Sequence, residues 1–202
     1  MNSVILATSG AGKSFTVKLE ILRYLLNGVD VIVIDPENEY QALCEKVGGT
    51  YVNIATSSQQ FLNPFDLPPM IEDVEYGKGD LLRSQVMNLV GLIQILIWKL
   101  SAEEEALLDK ALQNTYALKG FTFDMDDYTG KQPPLMEDLM NVLDGMRWGE
   151  QIALKLSKYV TGTFGKLFNN YTNVDINNAI TVFSIRDVEE ALKTPAMFNV
   201  LS

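Results

Sequence analysis

The sequence predicts an α/β fold, a parallel sheet interrupted by an all-helical insertion, on three observations. Short runs of consecutive aliphatic residues, Val4-Ile5-Leu6-Ala7 and Val31-Ile32-Val33-Ile34, end at glycine or proline turns, as strands buried on both faces of a parallel sheet do. A third such run, Ala179-Ile180-Thr181-Val182-Phe183-Ser184-Ile185, lies far along the chain. Between about residues 71 and 159 the pattern is helical, with no strand-like segment.

Taken in order, residues 4–7 predict a first strand. The next segment predicts a helix from 13 to 26, with Phe15, Leu19, Leu22 and Leu26 as its apolar face and Asn27-Gly28 as its stop. Four β-branched residues, 31–34, form the next strand, closed by Asp35-Pro36. Strand, helix and strand within about 30 residues make a βαβ unit. A short helix from 39 to 47 stops at Gly48-Gly49, Tyr51 to Ile54 read as a strand, and Leu62-Asn63-Pro64-Phe65-Asp66-Leu67-Pro68-Pro69 as a loop.

The insertion begins at Ile71 and holds three helical patterns: 81–100, 102–119, and 135–159 with a break at Gly145 or Gly149. Ser101 and Glu104 have capping-box spacing. The link Asp124-Met125-Asp126-Asp127-Tyr128-Thr129-Gly130 lacks the ligand spacing of a calcium loop and reads as solvated turn. After the last strand a helix begins within 187–193. The expected division is a core of residues 1–70 and 160–202, with 71–159 as the helical insertion.

Composition excludes several chemistries. The chain has no histidine and one cysteine, Cys44, so Cys/His zinc sites, histidine triads and intrachain disulfides are ruled out, and a lone cysteine suits a reducing compartment. A net charge of −10 supplies no overall attraction for nucleic acid or anionic membranes, although a local basic groove stays open. No basic leader precedes Val4, and the longest apolar run, 86–98, is shorter than the roughly 20 residues of a membrane span and reads as a core helix.

The chemistry-bearing motif is Thr8-Ser9-Gly10-Ala11-Gly12-Lys13-Ser14, between a strand-like run and a helix. A phosphate loop needs small residues that let backbone N–H groups converge on phosphate oxygens, and a helix N-terminus to add partial positive charge. Gly12-Lys13-Ser14 meets the second half of the phosphate-loop pattern, while Ala7 replaces its first glycine. The motif points to a nucleoside triphosphate, ATP with Mg2+, with Lys13 pairing the β and γ phosphates and the Ser14 hydroxyl on the metal.

The acidic segment Asp35-Pro36-Glu37-Asn38-Glu39-Tyr40 follows a strand, and ligands of open α/β sheets bind at the carboxyl ends of strands. Two readings of Asp35 stand: a magnesium ligand acting through water, or the turn that ends the strand. Glu37 and Glu39 are candidates for orienting an attacking water. Gly162-Thr163-Phe164-Gly165-Lys166 lacks a following Ser or Thr and reads as structural, and Arg186 is either a solvated or paired strand-end arginine or an arginine finger or sensor.

Four segments together resemble the conjugal-transfer ATPases of the VirB/TraC kind, the traffic ATPases of type IV secretion systems. They are residues 7–15, 34–40 (Ile34-Asp35-Pro36-Glu37-Asn38-Glu39-Tyr40), 62–66 and 161–168. The resemblance implies a P-loop NTPase core, RecA-like and FtsK/HerA-related, with an all-helical insertion. It implies a motor that couples Mg-ATP hydrolysis to pilus assembly or macromolecule transfer. It further implies a homo-oligomer, a hexamer, working with other secretion components at the cytoplasmic side of the membrane. The expected nucleotide contacts are Thr8, Ser9, Gly10, Ala11, Gly12, Lys13, Ser14 and Phe15, with Ser14 and Asp35 toward the metal and Lys13, Glu37 and Glu39 in catalysis. The family's later strand ending in Asp-Glu is not found before Ser202, so the expectation is a cradle cut at both ends, with hydrolysis by the fragment alone left open. A DNA-translocating ATPase and a nucleotide-binding interaction module are the alternatives.

Overall fold

The computed structural model describes residues 4–6, 8, 10–68, 76–125 and 127–201, so the expectations for Ala7, Ser9, Pro69, Ile71 and Asp126 lie outside the described residues. Two compact units form: Met1–Ala55 with Val174–Val188, and Thr56–Asn173 with Glu189–Ser202. The units divide at 55/56, 173/174 and 188/189, whereas the sequence pattern placed boundaries at 70/71 and 159/160. Residues 56–68, 160–173 and 189–201 pack with the helices because side-chain and backbone bonds tie them there, as described below.

The first unit is a parallel sheet. Its strands are β1 (Val31–Asp35), β2 (Thr50–Asn53) and β3 (Ile180–Ser184), in the order β1-β3-β2. β3 arrives from far along the chain and inserts between the other two. Asp35 and Asn53 both register with Ser184, so the carboxyl ends of all three strands share one edge. Every residue of β3 is buried, including the polar Thr181 and Ser184, as befits a central strand covered on both faces. The ladder continues past the strand ends through Ile54 N to Ser184 O at 2.9 Å and Ile185 N to Asp35 O at 3.2 Å.

Helix α1 (Lys13–Leu26) and the short α2 (Gln41–Lys46) belong to this unit. The core is built from Ile21, Cys44, Ile180 and Val182, with Val17 and Leu25 packed on it. Helix α1 is therefore turned differently from the sequence expectation. Phe15, Leu19 and Leu26 are exposed, at 66%, 41% and 87%. The helix carries two apolar stripes, and the one at positions 17, 21 and 25 meets the sheet. Burial pushes the Cys44 thiol above its ordinary value, partly offset by a hydrogen bond with the Val182 backbone, which is the state of an inert core thiol.

The first expected strand is not seen. Val4, Ile5 and Leu6 have no regular structure and are exposed, and no described strand pairs with them. An aliphatic run signals a demand for burial, but a strand also needs a neighbouring backbone, and the described ladder consists of β1, β3 and β2 alone. The crossover present among the described residues is β1–α2–β2, with β3 between its strands.

The second unit is helical: α3 (Asp80–Ile97), α4 (Ala102–Leu118), α5 (Met136–Asp144), α6 (Glu150–Leu156), a single-turn α7 (Gly165–Phe168) and α8 (Glu190–Leu201). Leu82, Gln85, Val86, Leu89, Ile93 and Leu96 form the inward stripe of α3. That helix has the length and mean hydropathy, 1.3, to cross a membrane, yet half of it is buried inside the unit, as a core helix would be. It stops at Ile97 because Trp98 and Lys99 both take left-handed backbone, with φ 47° and 62°. α4 opens with the capping box expected at Ser101, whose Oγ accepts from Glu104 N while its own N–H donates to the Glu104 carboxylate. The pattern predicted at 135–159 splits into α5 and α6 around Gly145 and Gly149. At the end of the acidic link the Asp127 carboxylate accepts from Thr129 N, and no metal-binding carboxylate cluster occurs among the described residues.

The unit is tied to the loop 61–66. The Asn63 amide donates to Pro134 O at 2.9 Å and accepts from Phe65 N at 3.1 Å. Gln85 donates to Pro64 O at 2.7 Å, and the Tyr116 hydroxyl donates to Phe65 O at 2.8 Å. The Thr172 hydroxyl accepts from Asn63 N at 2.7 Å and donates to the Asp66 carboxylate. The 162–166 segment is structural, as its sequence suggested. A Cβ on Gly165 would lie 2.2 Å from Val160 O and one on Gly162 2.6 Å from Lys158 Cα, so glycine is needed where this turn folds on itself.

Tyr116 and Phe65 are fully buried, so Tyr116→Phe leaves the Phe65 carbonyl without its donor. The substitution should cost about 1–3 kcal/mol of stability, read as a lower denaturation midpoint with an unchanged m-value. Burial raises the Asp66 carboxyl above its ordinary value, against the lowering effect of its hydrogen bonds with Thr172 and Asn63. Because the folded value is the higher one, the folded state binds the proton more tightly. The resulting stability is fully present below the unfolded carboxylate value and is lost as pH rises through the folded value. Asp66→Asn should flatten this part of the pH profile in chemical denaturation run from about pH 4 to about pH 7.

Candidate nucleotide site

The 8–14 segment becomes a cradle through its glycines. Ala11 N donates to Thr8 O at 3.2 Å, closing a turn, while Gly10 and Gly12 take φ of 78° and 85°. Nothing lies within 4 Å of a Cβ built on either glycine, so at both positions it is the positive φ, not crowding, that calls for glycine. Gly12 is the N-cap of α1. No side chain caps this end and no acidic residue lies in the first turn, which leaves the partial positive charge of the helix facing the cradle. Lys13 and Phe15 are exposed and Ser14 is half-buried, so the loop presents an ammonium and a hydroxyl where a polyphosphate would lie.

The acidic turn after β1 meets this loop. The Ser14 hydroxyl donates to the Glu39 carboxylate, bringing together two of the residues singled out from the sequence. Asp35 has a different role. It is buried, at 1% exposure, and its two oxygens accept from Glu39 N at 3.1 Å and Tyr40 N at 2.8 Å. Of the two sequence readings of Asp35, this geometry is that of the turn that ends the strand, with the carboxylate folded onto the backbone it organises. Glu37 is exposed, and no hydrogen bond or ion pair joins it to the other site residues among the described residues. Arg186 is exposed and follows Ile185, whose N–H extends the ladder onto Asp35 O.

Four contributors, Asn38, Tyr51, Lys18 and Tyr40, were not found from the sequence. Asn38 sits at φ 58° and accepts from the Tyr51 hydroxyl at 2.6 Å, while its amide donates to Gln41 at 3.3 Å. Lys18 of α1 lies 5.4 Å above the Tyr40 ring, a cation–π contact between the helix and the turn. Burial, and next the carboxylates of Glu39 and Asp35, raise the Tyr40 hydroxyl above its usual value. An Asn two residues after proline is a signal for a left-handed turn residue, but nothing local identifies Tyr51 as its partner.

A parallel sheet whose carboxyl edge carries an acidic turn against a glycine cradle and helix N-terminus defines a domain of the P-loop ATPase class. Comparison with known proteins specifies the class. The family model "Helicase HerA, central domain" matches residues 2–181, and the chain belongs to that family. It is 26% identical over 179 residues to Protein TraC of Escherichia coli strain K12, covering 84% of this chain and 18% of that protein. The solved structure of VirB4 of Thermoanaerobacter pseudethanolicus superposes with a TM-score of 0.81 at 28% identity, covering 97% of this chain and 53% of that one. The fold is thus that of a VirB4/TraC-like ATPase domain, and the chain spans about half or less of the length of these relatives.

Asp35→Ala should remove the acceptors of two turn amides and destabilise the protein by about 3 kcal/mol, on the scale of hydrogen bonds to charged groups. The same variant should weaken nucleotide binding because Glu39 loses its backbone anchor. Denaturation midpoints and nucleotide titrations on the folded fraction check both effects.

Proposed function

We propose that this chain is the nucleotide-binding part of a type IV secretion ATPase and that residues 8–14 bind Mg-ATP. The observation that carries the reading is the glycine cradle at the α1 N-terminus, with the Ser14 hydroxyl held by Glu39. The residues present fit the implied ligand: backbone amides and a helix end for an anionic polyphosphate, an ammonium for its charge, and a hydroxyl beside a carboxylate for a hard divalent cation. Magnesium, when bound, would supply charge neutralisation of the polyphosphate, with Ser14 the residue that would hold it. Lys13 would add a point charge toward the phosphates. The N–H groups of 10–14 orient the phosphates, and Ser14 offers lone pairs to the metal. Glu39 holds the serine proton, and Glu37 and Glu39 are the candidate carboxylates for aligning the attacking water.

On this reading the full-length protein is a homo-oligomeric motor, a hexamer, that works with other secretion components beside the cytoplasmic membrane and couples hydrolysis to pilus assembly or macromolecule transfer. The family's helicase name supports a second reading, a DNA-translocating ATPase, while the net charge of −10 counts against a basic DNA channel in this chain. DNA-stimulated turnover would favour the second reading. Lys13→Ala should lower affinity for Mg-ATP at least about tenfold in isothermal titration without lowering the melting temperature, since an exposed lysine contributes little to folding. Equal affinity in the variant and the parent overturns the phosphate-loop assignment.

A further inference from the structure

The nucleotide site depends on how a serine hydroxyl is turned. A hydroxyl has one proton and two lone pairs, so the acceptor that takes the proton decides where the lone pairs point. In this chain the acceptor is the Glu39 carboxylate. Glu39 is exposed and has a long flexible side chain, whose ordering costs up to about 2 kcal/mol unless its backbone is already aimed. The turn supplies that aim. Asp35 fixes the amides of Glu39 and Tyr40, Lys18 rests over the Tyr40 ring, and the residue immediately before Glu39 is the left-handed Asn38.

Left-handed backbone is uphill for a non-glycine residue and is kept where its surroundings enforce it. Two bonds enforce it at Asn38: the Tyr51 hydroxyl donates to Oδ1 at 2.6 Å, and Nδ2 donates to Gln41 at 3.3 Å. Tyr51 lies on β2 in register with Val182 of the central strand, so the sheet itself sets where that hydroxyl stands. A continuous chain of bonded residues therefore runs from the sheet through Tyr51, Asn38 and Glu39 to Ser14.

We propose that Tyr51 and Asn38 are positioning residues of the nucleotide site, which hold the Glu39 carboxylate on the Ser14 hydroxyl and so leave the serine lone pairs facing the cradle for a divalent cation. This rests on residues 8–14 being the phosphate site. Neither residue touches the nucleotide. Their effect falls on the part of the binding affinity that depends on the metal.

The test is equilibrium binding of a fluorescent ATP analogue, by anisotropy, with magnesium and with EDTA, for the parent, Tyr51→Phe, Asn38→Gly, Asn38→Asp and Lys13→Ala. Asn38→Gly keeps access to the left-handed backbone but removes the acceptor, while Asn38→Asp retains an oxygen for Tyr51. The magnesium-dependent gain in affinity should fall about threefold to tenfold in Tyr51→Phe and Asn38→Gly, the scale of one hydrogen bond, and stay near the parental value in Asn38→Asp. Parental gain in both Tyr51→Phe and Asn38→Gly, or a parent that gains nothing from magnesium, overturns the proposal. Melting curves identify a variant that fails to fold, and the decision then rests on the other one. Failure of the phosphate-site reading has a different signature: Lys13→Ala binds as tightly as the parent in EDTA.

Discussion

The buried carboxylate of Asp35 is the interaction on which the first unit's site depends. It sits where β1 ends, beside the last residue of the central strand, and accepts from the Glu39 and Tyr40 amides, which fixes the far end of the turn. A buried ionisable group needs hydrogen-bonding partners, and these backbone donors meet that need while fixing the path of the chain. Because β3 is fully buried between β1 and β2, the Asp35 end of the turn is as rigid as the sheet. Proline at 36 and left-handed Asn38 bend the chain between that anchor and Glu39. A flexible carboxylate is thereby delivered to Ser14 from a rigid base, which suits an interaction that has to be in place before a ligand arrives.

The helical unit follows a similar rule with different groups. Loop 61–66 has no regular structure of its own, so its backbone groups must find partners elsewhere. They find them in Gln85 of α3, Tyr116 of α4 and Thr172, and the Asn63 side chain adds a bond to the chain entering α5. Asn63 does the most, since its one amide both donates to Pro134 and accepts within its own turn. That network explains why the compact units divide at residue 55 and not after the prolines near 70: the loop is bonded into the helices.

The strands β1, β2 and β3 and the helices α1 to α6 were legible because each carries a local signal, whether a β-branched run, an apolar period, a capping box or a glycine stop. Of the strand expected at residues 4–7, the described residues 4–6 form none, because local composition reports apolarity while a strand requires a neighbour. The face of α1 was misread for a related reason: Phe15-Leu19-Leu22-Leu26 and Val17-Ile21-Leu25 are both apolar stripes, and only the position of the sheet chooses between them. In the site, the glycine spacing at 10 and 12 exposed the cradle, but the acidic turn offered three carboxylates without a means of ranking them. Hydrogen-bond geometry ranks them, placing Asp35 on the backbone and Glu39 on Ser14. The Tyr51–Asn38 bond was invisible because α2 and the turn into β2 separate its partners.

Of the four segments that carry the family resemblance, two surround the nucleotide cradle and two do not. The segments at 62–66 and 161–168 belong wholly to the helical unit. There, Asn63 and Gly165 have roles set by carbonyl partners and close backbone approach. A glycine cradle by itself is shared by many nucleotide-binding proteins, because phosphate geometry is the same for all of them. What distinguishes this chain is the cost of changing its packing. At Gly165 no other residue fits against Val160, and at Asn63 a substitute must replace a donor and an acceptor at once. Two of the four segments thus build the helical unit, and the other two supply the cradle and the acidic turn bonded to it.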